Sequence, residues 1–317
     1  MKTQTSLFAL ALVLASCDTS RPGPDDPVCE TYVHRYGVEM APREWVARGQ
    51  HGQVVSKRKD GVSVSKSYTA GVLDGDTTYS FPHSDSVQSS ETYSNGELVG
   101  ESENYPSGVP LKRVTYDDPN HKTVTTWYEN GTPQSKEVYE GDAVVQGEYF
   151  TVVGQLASKV DDGQGKRLNR DQFGQLVSHD AIVDGQMVSQ TAFYPNGSPK
   201  AISAYDQGQV HGQVSTFFAG GEPNTIEEWN QGTQSGTTTV FQNGEKYAEV
   251  PYVNGIKDGV ETRYANGDTV IEEITWKNGM MQGPSRTYVD GKAKTRWYYQ
   301  DREVTKAGYD ILIKPLP

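Results

Sequence analysis

"FQNGEKYAEVPYVNGIKDG", residues 241–259, carries two Asn-Gly pairs eleven residues apart, with an aromatic two or three residues ahead of each glycine. Asn-Gly between apolar or aromatic runs marks a two-residue type I′ hairpin, because both turn positions need positive φ and only Asn, Asp and Gly accept it cheaply. Asn243-Gly244 and Asn254-Gly255 are therefore expected to be turns, with Glu245–Val253 as the strand between them. Shifting the window by 23 or 24 residues returns the same arrangement. The first-turn position reads Gly197, Gly221, Gly244, Gly267 and Gly291, and the second-turn position reads Gly208, Gly232, Gly255 and Gly279.

Fixed self-similarity at this spacing is the mark of a repeat architecture. Toward the N-terminus the register continues through Gly174, Gly154, Gly131, Gly108, Asp85 and Gly61, with one short interval of 20 residues between Gly154 and Gly174. There, "VDDGQGKRLNRDQFGQ" at 160–175 lacks the second aromatic and reads as a degenerate repeat, or else as a bend or a partner-binding loop. Aromatics precede the first turns (Tyr194, Phe218, Phe241, Tyr264, Tyr288) and the second turns (Tyr205, Trp229, Tyr252, Trp276), and Tyr299 extends the second series.

Composition limits what these hairpins can build. Only 34% of the 317 residues are hydrophobic, too few for a thick two-layer core, while 22% charged residues with 33 Gly and 16 Pro stay short of low-complexity disorder. Nineteen Tyr against eight Phe suits half-exposed strands, whose rings cover the sheet while their hydroxyls stay wet. The expected fold is all-β: an elongated single-layer antiparallel sheet of tandem hairpins, twisted or gutter-shaped. At about 4.8 Å per strand it would run on the order of 100 Å. The rival is a β-propeller, since two repeats approach the length of one four-stranded blade. Sheet ends need covering. "APREWVARG" at 41–49 offers a short helix for one end, and "AGYDILIKPLP" at 307–317 a closing strand for the other, stopped by Pro315.

"MKTQTSLFALALVLASC" places Lys2 before an apolar run from Leu7 to Ala15, which reads as a secretory signal peptide over residues 1–16. Leu14-Ala15-Ser16-Cys17 resembles the lipobox of bacterial lipoproteins, and that resemblance implies acylation of Cys17; the alternative is an ordinary signal peptide, with Cys17 and Cys29 free or paired. Residues 17–27 then form a Pro- and Asp-rich tether, 28–50 a capping segment, 51–300 the repeat array and 301–317 a second cap. Asp18 resembles a signal for retention in the inner membrane, but the choice of inner or outer membrane stays open. Removing Lys2 takes the formal charge from −12 to −13. That acidity argues against nucleic acid and against lying flat on anionic lipid, so the membrane link falls to the anchor.

The search for chemistry returns little. The histidines (His34, His51, His83, His121, His179, His211) are scattered, and no metal-ligand spacing, nucleophile elbow or phosphate-cradling loop appears. No cofactor is implied. Glu227-Glu228 and Glu272-Glu273 read as solvated strand charges rather than glycosidase carboxylates, because adjacent strand residues face opposite ways. The column Tyr205, Trp229, Tyr252, Trp276 and Tyr299 is either the spine that packs hairpin on hairpin or a platform for a glycan or a partner protein.

The repeating unit, aromatic-x-Asn-Gly, about eight strand residues, aromatic-x-x-Gly, three residues and Gly, resembles the bacterial variant of the MORN repeat, as in "VFQNGEKYAEVPYVNGIKDG" and "RYANGDTVIEEITWKNGMMQG". The resemblance runs over roughly residues 50–300 and is strongest from 190 to 292. It implies tandem β-hairpins in an elongated sheet and a scaffolding or adaptor role; bacterial members are often labelled antitoxins. No functional residue carries over beyond the repeat positions. The function expected is a non-enzymatic, membrane-anchored lipoprotein that serves as a protein-interaction scaffold at the bacterial cell envelope. A glycan- or peptidoglycan-binding module, or an antitoxin-like protein that neutralises a partner toxin, is the alternative.

Overall fold

The computed structural model describes residues 27–314, so the signal peptide, Cys17, the body of the tether and Pro315 lie outside the described residues. The described residues hold 27 strands and two short helices, and the chain divides into two compact units. One unit takes the chain up to Asp162 together with Gln172–Gly174; the other takes Gly163–Asp171 and the chain from Gln175 onward.

The first unit contains β1 (Pro27–His34), β2 (Glu39–Met40), α1 (Pro42–Ala47), β3 (Gly52–Arg58), β4 (Ser63–Thr69), β5 (Val72–Ser80), β6 (Val87–Ser94), β7 (Glu97–Asn104), β8 (Pro110–Asp118), β9 (His121–Trp127), β10 (Pro133–Glu140), β11 (Ala143–Phe150) and β12 (Leu156–Asp161). The second contains β13 (Gln164–Arg170), β14 (Leu176–Val183), β15 (Gln186–Phe193), β16 (Pro199–Asp206), β17 (Gln209–Phe217), β18 (Pro223–Asn230), β19 (Thr233–Gln234), β20 (Gly236–Gln242), β21 (Glu245–Val253), β22 (Ile256–Lys257), β23 (Gly259–Ala265), β24 (Thr269–Lys277), β25 (Met280–Val289), β26 (Lys292–Tyr299), β27 (Arg302–Val304) and α2 (Lys306–Leu312). Within each unit the hairpins pair antiparallel in succession into an open sheet, and no four-stranded blade is set apart as a propeller requires.

Two turn chemistries punctuate the strands. Asn243 (φ 53°) with Gly244 (φ 80°) and Asn254 (φ 50°) with Gly255 (φ 78°) are the expected type I′ pairs. At Gly131, Gly197 and Gly221 only the glycine has positive φ. Gly197 N–H donates to Tyr194 O (2.8 Å) and Tyr194 N–H to Ser198 O (2.9 Å), a type I turn followed by a left-handed glycine. Asn196 is thereby freed from the turn backbone: its Oδ1 accepts from Ser198 N–H at 3.1 Å, and its Nδ2 donates to Ala219 O in the next repeat at 2.8 Å. Asp85 lies within the turn loop from Phe81 to Ser86 but does not take the left-handed conformation of the turn glycines; the positive φ falls on His83 (58°). The third glycine of the repeat is a bulge. Gly236 (φ 114°) and Gly259 (φ 124°) interrupt what would be continuous strands, leaving β19 and β22 as two-residue pieces between turn and bulge.

The stretch at 160–175 is a degenerate repeat and supplies no long loop. It is filled by the six-residue β12 and the seven-residue β13, whose shortness accounts for the 20-residue interval.

The N-terminal helix forms as expected, with Pro42 in the first turn and Gly49 (φ 79°) beyond its end. Trp45 fills the gap beneath it, with ring centroids 5.9 Å from Tyr32 and 6.4 Å from Tyr68. The C-terminal expectation needs correcting: "AGYDIL" lies in helix α2, and closure of the sheet falls to the three-residue β27. Thr305 caps this helix, its hydroxyl accepting from Gly308 N–H at 3.1 Å, and Tyr309 packs on Trp297 at 5.1 Å.

The core is a line of side chains rather than a layer. In the first unit Thr77, Glu91, Glu101, Val114, Val124, Glu137, Gly147 and Val160 stand directly opposite one another, strand after strand. The second unit has Asp180, Gln190, Ser203, Val214 and Glu227 in one run and Glu261, Ile274, Ser285 and Arg296 in another.

Candidate functional site

Carboxylates recur in this line, and aromatic side chains hold them. Glu137 is buried and accepts from the Tyr139 and Tyr149 hydroxyls, each at 2.6 Å. Glu91 accepts from Tyr93 at 2.9 Å, and Glu227 accepts from the Trp229 indole N–H at 2.9 Å and the Thr225 hydroxyl at 2.9 Å. Glu261, only 3% exposed, accepts from Trp276 Nε1 (2.9 Å), Lys257 Nζ (2.9 Å) and Arg263 Nε (2.8 Å). The opposite face repeats the device near the first turns, where Tyr264 donates to Glu249 at 2.5 Å and Tyr288 to Glu273 at 2.8 Å.

Electrostatics follow the geometry. Burial, and then the hydrogen bond to Glu30, push the Tyr32 phenol up to about 12. The Glu249 bond raises Tyr264 above the ordinary phenol range, as the Glu273 bond does Tyr288. Burial alone would raise Glu261, but hydrogen bonds from Lys257 and Arg263 outweigh it and hold the carboxyl below its ordinary value.

The acidic pairs are partly built into the sheet: Glu227, Glu272 and Glu273 are half-buried, while Glu228 stays exposed as a solvated strand charge. Glu228 accepts from Thr237 N–H at 3.1 Å, Glu272 takes Arg263 at 2.8 Å, and Glu273 takes Arg286 at 3.0 Å. Nothing in the sequence alone marks which carboxylate meets which aromatic, because bulges set the cross-strand register.

The aromatic column is assembled, with one substitution in its membership. Tyr205, Trp229, Tyr252 and Trp276 are half-buried, and the last three stand opposite bulge glycines: Gly212 with Trp229, Gly236 with Tyr252 and Gly259 with Trp276. Gly283 faces Tyr298, so Tyr298 is the next member and Tyr299 points to the other face. The final turn is Gln300-Asp301 (φ 49° and 65°), which moves the three-residue offset onto Tyr298.

Cations lie over one ring of the column, Trp276, and over aromatics outside it. Lys257 Nζ lies 4.6 Å from the Trp276 centroid, Lys246 4.0 Å from Tyr264, and Lys122 5.0 Å from Tyr139. Each repeat is also tied to the next at its edges. The hydroxyls of Tyr105, Tyr128 and Tyr194 donate to Trp127 O, Phe150 O and Phe217 O, and the N–H groups of Gly232, Gly255 and Gly279 donate to carbonyls of the preceding repeat.

Among the described residues no group of His, Cys, Asp and Glu is arranged to hold a metal, and no helix is long and apolar enough to cross a membrane. His121 Nδ1 lies 2.7 Å from Asp118 Oδ2, but Asp118 also accepts from the backbone N–H groups of Asn120 and His121, which makes it a turn device. A depression of about 500 Å³ is lined by Glu97, Leu98, Val99, Tyr116, Asp117, Asp118 and Pro119. Cys29 is a free thiol in β1.

This architecture is that of an all-β hairpin-repeat protein. Residues 120–140, the β9–β10 hairpin, match the family described as the MORN repeat variant. The matched segment is a single repeat in the first unit and not the 190–292 stretch where the sequence pattern is cleanest. No curated protein matches the chain. Among solved structures, the crystal structure of BamB from Moraxella catarrhalis aligns at 12% identity over 79% of this chain and 82% of that one. Its TM-score of 0.16 lends it no weight for fold or role.

Proposed function

We propose that the protein is a non-enzymatic scaffold that presents its sheet faces and edges to partner proteins at the bacterial cell envelope, held to the membrane through acylated Cys17. The observation that carries this reading is the commitment of the two column tryptophans, whose indole N–H groups are both bonded within the sheet, with a lysine over the Trp276 face. A sugar-binding platform needs open ring faces, whereas the Trp276 face carries the Lys257 ammonium, and the Trp229 and Trp276 N–H groups are committed to Glu227 and Glu261. Apolar area is instead exposed along the turns, at Val253 (51%), Ile256 (48%) and Val260 (48%). Such exposed apolar residues rimmed by charge suit protein contact better than glycan stacking.

A photo-crosslinking residue placed at Ile256 in intact cells tests the scaffold. A discrete protein adduct is expected; binding to insoluble peptidoglycan that is lost in Trp229→Ala and Trp276→Ala would favour the glycan reading instead. For the anchor, Cys17→Ser is expected to abolish labelling by a palmitate analogue and to move the protein from the membrane to the soluble fraction. Unchanged fractionation would overturn the anchor.

A further inference from the structure

The second unit ends in a strand whose outer edge is only partly covered. The inner edge of β26 pairs with β25 from Val289 back to Gly283, but its outer edge pairs with β27 only at Trp297, Tyr298 and Tyr299. The chain leaves the edge at Thr305 to cap α2, and all of Lys292–Arg296 is exposed. Five residues at about 3.4 Å each leave a slot of roughly 17 Å of unpaired backbone.

Charge marks this slot. Lys292, Lys294 and Arg296 alternate and so share one face, with Arg296 opposite Ser285 in the core line. Among the described residues no carboxylate lies within ion-pair distance of Lys292 or Lys294, in a chain of formal charge −12. Further in, the run that ends at Arg296 starts at Glu261, and Arg296 itself bonds Tyr298 with Glu303 and Glu272 nearby, so the uncompensated charge of the edge is that of Lys292 and Lys294. The other face of β26 is occupied, with Trp297 packed on Tyr309 of α2.

We propose that this edge docks an extended acidic segment of a partner protein by strand addition, the added strand lying alongside Lys292–Arg296 with its acidic residues on the lysine face. The proposal rests on the scaffold reading above and gives that scaffold one contact site and one partner chemistry. Cross-strand neighbours have Cβ atoms about 5 Å apart, so alternating carboxylates on the incoming strand would meet the three cations in register. Lysines on an edge also repel indiscriminate pairing, and the same charges that reject neutral or basic strands select an acidic one. A second copy fits poorly: β26 against β26 sets lysine against lysine, and β1 offers one carboxylate, Glu30, against three cations.

The probe is a synthetic seven-residue peptide alternating glutamate with threonine, with its lysine-for-glutamate counterpart as control, titrated into the full mature chain. The glutamate peptide is expected to bind, to slow amide exchange at 292–296, to weaken with salt, and to lose at least tenfold in affinity in the Lys292→Glu/Lys294→Glu variant. Both substituted side chains are exposed and unpaired, so the variant should fold, which its exchange pattern elsewhere checks. Equal binding of both peptides, no binding of either, or concentration-dependent self-association that protects 292–296 would each overturn the proposal. A crosslinker at Thr295 that yields no adduct while one at Ile256 does would remove the edge site and leave the scaffold standing.

Discussion

Glu261 shows how a single residue holds this kind of sheet together. A carboxylate 3% exposed would be intolerable alone, yet three donors satisfy it, Arg263 from its own strand β23, Lys257 from β22 and Trp276 from β24, and Arg263 passes on to Glu272 at 2.8 Å. Glu261→Gln keeps the volume and removes the charge, leaving Lys257 and Arg263 facing a neutral amide. Because both cations are about one-third exposed, the loss should fall below that of a fully buried pair, at about 2 kcal/mol, read as a lower urea midpoint with an unchanged slope. The pH dependence has a definite sign. The folded carboxyl lies below its ordinary value, so its stabilisation is fully present above about pH 4.3 and is lost as pH falls through the lower folded value. Wild-type stability should therefore fall more steeply on acidification below that point than Glu261→Gln stability does. Parallel curves would mean that the Lys257 and Arg263 contacts do not favour the ionised form.

Among the elements, α2 and the turns show where local chemistry overrides a sequence pattern. Helix α2 has one cap, Thr305, and two contacts with the Trp297 ring, from Tyr309 and from Lys306. Thr305→Ala should cost about 1 kcal/mol locally, seen as faster exchange of amides 308–313, with Thr305→Asp restoring protection. "AGYDILIKPLP" reads as a strand because its apolar residues cluster, whereas the Thr305 hydroxyl at Gly308 N–H and the packing of Tyr309 on Trp297 hold 306–312 as helix. Asn243-Gly244 was legible because a two-residue reversal admits few residues. Asn196-Gly197 takes the longer turn also seen at Gly131 and Gly221, closed by the Tyr194 N–H to Ser198 O bond, and Pro195 is compatible with its first central position. The aromatic positions were legible to within one residue, but that residue decides the face: Tyr298 and Tyr299 lie on opposite sides of β26, and the turn at Gln300-Asp301 selects between them. Acid–aromatic pairing was beyond the sequence, since Glu261 and Trp276 are 15 residues apart and meet only through the β23–β24 register.

At the scale of the whole molecule, a chain in which each strand packs mainly on its two neighbours should respond to damage locally, with stability a sum of repeats and the interfaces between them. Gly259→Ala is a sharp probe of this. The position has φ 124°, strained for any residue with a Cβ, and an added Cβ would come within 2.8 Å of Pro251 Cγ on the neighbouring strand. Neither the ring nor the bulge can yield freely, so the substitution should cost about 1–3 kcal/mol, paid in the strands that flank it. Hydrogen exchange followed by mass spectrometry should show protection lost across β20–β25 while peptides of the first unit exchange as in wild type. If instead every strand from β1 to β27 lost protection equally and the chain melted in one sharpened transition, the repeats would be folding as one cooperative body. The nearest-neighbour account of its stability would then be wrong. A local response, by contrast, would let a scaffold loosen one edge around a partner while its remaining hairpins keep their register.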